Sequence, residues 1–114
     1  MTHATIYKSP LNGEILGFRT EGHAGYASKG SDIVCASISI LVINTINTID
    51  LYCDCRYDTY VDEKSGLIEF KLNPFVKDLQ VSNEVRVLLN GLELGLCQVS
   101  KENPKHLTIT VEEV

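Results

Sequence analysis

The residues best suited to covalent chemistry stand close together in this 114-residue chain. Gly22-His23-Ala24-Gly25-Tyr26 leads to Ser31-Asp32-Ile33-Val34-Cys35-Ala36-Ser37-Ile38-Ser39. A thiolate attacks carbonyl carbon, and an imidazole titrating near neutrality can take the thiol proton and later return it to a leaving group. His23 and Cys35 supply those two groups. Ser31 or Asp32 is the expected N-cap of a helix, which puts Cys35 in its first turn, near the third helical position. There, unpaired backbone N–H groups and the positive end of the helix dipole favour both a thiolate and an oxyanion. The segment 22–31 holds three glycines and two serines in ten positions, a composition that lets the chain fold His23 back over the thiol.

Each residue also has a plainer reading. A cysteine on the apolar stripe of a helix is ordinarily a core residue, and a lone loop histidine is ordinarily solvated. Asp32 can serve only as a cap, worth about 1 kcal/mol. Ser39, one turn beyond Cys35, can simply hydrogen-bond the helix backbone. The other three cysteines do not form metal-ligand sets: Cys53-x-Cys55 is too tight for a zinc knuckle, and Cys97 stands far away. Cys53 and Cys55 read as small hydrophobes where a helix passes into a strand, and no metal is expected.

Two hairpins and two helices must position these groups. Residues 3–8 alternate as a strand, the turn Pro10-Leu11-Asn12-Gly13 follows, and 14–21 alternates again with Leu16, Phe18 and Thr20 on one face. The uncharged run from Ile33 to Ile49 is rich in β-branched residues, yet it is too long for a strand. Cys35, Ile38, Val42, Ile46 and Ile49 fall on one helical stripe, which predicts a helix over 33–52. Residues 55–61 and 67–72 form a second hairpin around the turn 62–66. After a connection over 73–81, Val85, Leu88, Leu89, Leu92, Leu96 and Val99 mark a second helix capped by Ser82 or Asn83. Gly91 and Gly95 share one face of it, as expected where another backbone, such as the first helix, comes close. Leu107, Ile109 and Val111 alternate as a last strand. The order β-β-α-β-β-α-β predicts an α+β fold, one domain over 1–114, with a mostly antiparallel sheet and both helices packed on it.

Composition narrows the function. Ten Lys and Arg against fifteen Asp and Glu give a net charge of −5, and no basic run exists to neutralise phosphates, so direct nucleic-acid binding is excluded. The N-terminus lacks the apolar core of a signal peptide. The uncharged run carries six polar residues and falls short of the ~20 apolar residues of a spanning helix, which argues against a membrane role. Four cysteines without an export signal point to the cytoplasm.

Gly-His-Ala, the loop, and Asp-Ile-Val-Cys-Ala-x-x-Ser resemble the ribosomal-processing cysteine proteases called Prp. The likeness continues through the Asn/Thr-rich stretch Asn44–Thr48 and the Leu- and Gly-containing helix before Asn103-Pro104, over nearly the whole chain. It implies a catalytic pair at His23 and Cys35, with Gly22, Asp32 and Ser39 as supporting motif residues. It also implies a cofactor-free homodimer that removes the N-terminal extension of a large-subunit ribosomal protein precursor after an aromatic site. Two other classes compete. A ribosome-associated binding module would not need the His/Cys pair. A thiol redox protein would need a resolving cysteine nearer than Cys53, eighteen residues on from Cys35.

Overall fold

Alternation along the N-terminal third builds a hairpin. In the computed structural model, β1 (Thr2–Lys8) and β2 (Ile15–Glu21) pair antiparallel, with Ile6 opposite Phe18. Residues 1–22 and 33–114 are described in full, and 29–32 by backbone alone. Then follow α1 (Lys29–Tyr52), β3 (Tyr57–Asp62), β4 (Leu67–Leu72), α2 (Asn83–Glu102) and β5 (Leu107–Glu113). The five strands form one sheet in the order β3-β4-β2-β1-β5, antiparallel except for the parallel β1–β5 pair. The expected element order and the mostly antiparallel sheet are both present.

Both helices cover one face of this sheet. Ala4, Ile6, Leu16, Phe18, Phe70 and Leu72 are buried, and the Phe70 ring stacks on Phe18 and Tyr57 with centroids 5.2 and 5.0 Å away. From α2, Val85, Leu89, Leu92 and Leu96 close the core. Ser82 caps that helix, its hydroxyl accepting from the Val85 N–H at 3.3 Å. Gly17 is required where β2 meets β4, because a Cβ there would overlap the Phe70 carbonyl oxygen.

The helix α1 departs from expectation at two points. Its buried stripe is Val34, Ile38, Val42, Thr45 and Ile49. Cys35 and Ile46 therefore lie on the flank of the stripe, each partly exposed. Apolar residues also stand on the outer face of the helix, Ile33, Ile40 and Ile43 among them, so spacing alone does not mark the inward side; α1 meets α2 through Leu41, whose side chain lies against Gly95. A Cβ on Gly95 would come within 3.0 Å of that side chain, so the close approach involves a side chain rather than a backbone. Gly91 has nothing within 4 Å of a Cβ, so the expected contact there does not exist. The buried Thr45 hydroxyl is satisfied by donating to the Leu41 carbonyl at 2.7 Å. By length and composition alone Ile33–Tyr52 would cross a bilayer, but here its buried stripe is used up on the sheet and α2.

The second departure is the start. The helix begins at Lys29, so Ser31 and Asp32 are helical rather than capping and Cys35 is the seventh helical residue. Serine and aspartate are favoured at the N-cap but are also tolerated throughout the first turn, so their presence alone did not mark the boundary. The N–H groups left unpaired at this terminus belong to 29–32, one turn before the thiol.

Candidate active site

One end of the sheet gathers the residues around Cys35. A small cavity of about 50 Å³ is lined by Thr2 from β1, Thr20 and Gly22 at the end of β2, and Gly66 and Ile68 around the β3–β4 turn. Cys35, Ile38, Ser39 and Val42 of α1 form its other wall. Two backbone ties hold the sheet side. The Gly22 N–H donates to the Ser65 carbonyl at 3.0 Å, and the Thr2 N–H to the His106 carbonyl at 2.9 Å. Gly22 adopts φ +105°, and a Cβ there would stand 2.5 Å from the Met1 carbonyl oxygen. Only glycine lets β2 leave the sheet so close to the chain terminus.

Of the expected site residues, Gly22, Cys35 and Ser39 come together on this cavity. Cys35 and Ser39 are one helical turn apart and share a face. Asp32 lies on the same helix, three residues before Cys35, with its side chain outside the described residues. His23 also lies outside them, and the segment 22–31, expected to fold over the thiol, is described only at its ends. The partial exposure of Cys35 suits a nucleophile that must meet a peptide, whereas a thiol on the buried stripe would be inaccessible. The helix dipole helps it less than expected, since that field fades within the first turn.

Nothing in the local sequence assigns Thr2, Thr20 or Ile68 to the site, and Gly66 reads there only as a turn residue. Strand pairing between distant segments brings the set together. The remaining thiols sit elsewhere. Cys53 follows α1, Cys55 precedes β3, and both pack partly against the core as small hydrophobes. Burial pushes both thiols above their ordinary range, with Glu84 adding to the effect at Cys53. A larger cavity of about 260 Å³ lies beside Cys55 and the start of α2. It lies beyond the C-terminal end of α1, and the part of that helix from Cys35 to Tyr52 spans roughly 26 Å at 1.5 Å per residue.

A family model described as cysteine protease Prp matches residues 1–108. The ribosomal processing cysteine protease Prp of Bacillus subtilis (strain 168) is 27% identical over 110 residues, covering 96% of each chain. A crystal structure of a Streptococcus mutans protein superposes with a TM-score of 0.85 at 27% identity, covering 100% of this chain and 96% of that one. The ribosomal processing protease Prp from S. aureus, solved in complex with a substrate peptide, shares the fold. Its TM-score is 0.83 at 20% identity, covering 98% of this chain and 100% of the other.

Proposed function

The chain belongs to the cysteine protease Prp family, and from that premise we propose that it removes the N-terminal extension of a large-subunit ribosomal protein precursor in the cytoplasm. The observation that carries the reading is Cys35 half-exposed on a cavity that Gly22 helps to close, with His23 the next residue in sequence. His23 takes the Cys35 proton, and the thiolate attacks the scissile carbonyl carbon to give a tetrahedral oxyanion. As the C–N bond breaks, His23 protonates the departing amine. Water then adds to the thioester, and its cleavage releases the carboxylate and restores the thiol. Asp32, three residues before Cys35 on the same helix, is a supporting residue of the site. Ser39, a turn beyond the nucleophile, supports the site. No cofactor enters this chemistry.

The acting unit is a homodimer, formed through the outer face of the helix layer. That reading is supported by a row of exposed apolar side chains along α1, Ile33, Ile40, Ile43 and Leu51, beside Val87 and Leu94 of α2. Contiguous apolar surface of this kind marks an association face.

The deciding experiment incubates the protein with the extended ribosomal precursor and weighs the products. Wild type releases the extension, while Cys35→Ala leaves the precursor intact and remains folded by circular dichroism. Processing by the alanine variant at the wild-type rate would overturn the assignment of the nucleophile.

A further inference from the structure

The cleft of about 260 Å³ beyond the C-terminal end of α1 sets an apolar floor beside two opposite charges that do not meet. Leu72 and Val85 are buried at its base, and Leu79 and Val81, packed against the core, line it further. Hydrogen bonds hold its walls. The Asn73 N–H donates to the Arg56 carbonyl at 3.0 Å, and the Ser82 hydroxyl accepts from the Val85 N–H at 3.3 Å. Asp54 and Arg56 stand on the rim, both exposed. Among the described residues, neither side chain enters an ion pair. Arg19 and Glu21, likewise two residues apart in sequence, join at 2.8 Å. Asp54 and Arg56 instead leave one anion and one cation free beside the same apolar surface.

We propose that this cleft binds a free apolar amino acid, with Arg56 holding its carboxylate, Asp54 its ammonium group, and the aliphatic floor its side chain. Small-molecule sites are concave and mostly apolar, with a few polar groups that fix orientation. A volume just below the drug-sized range suits a ligand this small. The guanidinium fork matches a carboxylate through two parallel hydrogen bonds. Other ligand classes fit worse. A phosphorylated molecule would meet a single cation with a carboxylate beside it. An internal stretch of peptide carries neither terminal charge, so it would answer neither Asp54 nor Arg56. A charged or amide side chain would have to lie on Leu72, Leu79, Val81 and Val85 without a partner. The neutral polar groups around the cleft are partly engaged already. Asn73 Nδ2 donates to Asp58 at 3.1 Å, and the Ser82 oxygen caps α2. Burial pushes the Cys55 thiol up, so it adds no charge near neutral pH.

The test follows backbone amide shifts by NMR while leucine or phenylalanine is added to the wild-type protein. Saturable shifts are expected around residues 54–56 and 79–85, with a Kd of about 1 mM for ligands of so few atoms. Three analogues each lack one recognised group: glycine the side chain, leucinamide the carboxylate, and N-acetylleucine the ammonium. Each should bind about tenfold more weakly than leucine or not at all. Arg56→Gln should abolish the preference for leucine over leucinamide, and Asp54→Asn the preference over N-acetylleucine. Both positions are exposed, so both variants should keep the wild-type spectrum elsewhere. Absence of saturable shifts with either amino acid up to about 20 mM would overturn the proposal. Equal binding of leucine and its two blocked forms would overturn it too, as would shifts that cluster away from the cleft. None of these readings uses precursor cleavage, so this proposal and the protease reading fail separately.

Discussion

Substituting Gly22 by alanine tests how the site is anchored, and two other glycines calibrate the answer. Gly13 has φ +74° with open space around a Cβ, so Gly13→Ala measures the cost of a left-handed backbone alone, about 1 kcal/mol. Gly22 has φ +105°, farther from any conformation an L-residue adopts readily, and its Cβ would overlap the Met1 carbonyl. The obstacle is backbone, so relief requires β1 or the end of β2 to shift. That adds about 1–3 kcal/mol, as overpacking does elsewhere. Gly22→Ala should then cost roughly 2–4 kcal/mol in all. Gly91 sits in the interior of α2 with nothing within 4 Å, so Gly91→Ala should stabilise by about 1 kcal/mol. Urea denaturation read from midpoints at constant slope separates the three. Melting temperatures should fall by about 4 °C for Gly13→Ala and by about 8–16 °C for Gly22→Ala. Precursor cleavage adds a second readout. Measured well below its melting point, Gly22→Ala should lose far more activity than its unfolded fraction explains, while Gly13→Ala keeps wild-type activity. If Gly22→Ala matched Gly13→Ala in both stability and cleavage, the close approach of Met1 would not exist and the anchoring argument would fail.

Tyr7 predicts a pH dependence: burial, with the hydrogen bond to Glu69 second, pushes its hydroxyl from 10.0 up to about 12. The folded state therefore holds that proton more tightly than the unfolded chain. About 2–3 kcal/mol of stability is present below pH 10 and is lost as pH rises through 12. Tyr7→Phe should remove this part of the alkaline loss, and denaturant midpoints at pH 8 and pH 11.5 that fall equally in both proteins would refute it. The dimer face is tested by Ile40→Lys, at a position 68% exposed in the single chain, which should halve the mass seen in sedimentation without lowering the monomer's helix content. An unchanged sedimenting mass, or a wild-type monomer at micromolar concentration, would exclude that face as the interface.

Particular residues show what the sequence could and could not reveal. The run Ile33–Ile49 has the composition of a strand, and its length alone identified the helix. Spacing found the inward positions of β2, β4 and α2 because polar and charged residues separate the apolar ones in each of these elements. It misplaced the stripe of α1, a helix uncharged from Ile33 to Ile49 whose outer face also carries Ile33, Ile40, Ile43 and Leu51, so that apolar spacing does not single out the inward side. Cys35 accordingly lies at the edge of the core, partly exposed. Capping chemistry misjudged the helix start by a turn, since Ser31 and Asp32 suit the first turn as well as the cap. That Gly22, Cys35 and Ser39 are neighbours was legible because they lie within one short stretch of chain. The wall facing them was not, because it is made by register. Thr2 and Thr20 face the cavity only because His3 pairs with Glu21 and Thr20 with Ile68. A slip of one residue in either pairing would turn those hydroxyls to the opposite face of the sheet. The proposed nucleophile thus follows from local sequence, whereas the wall facing it depends on pairings between distant segments, such as Thr20 with Ile68, and a substitution there should alter the site without removing a proposed catalytic group.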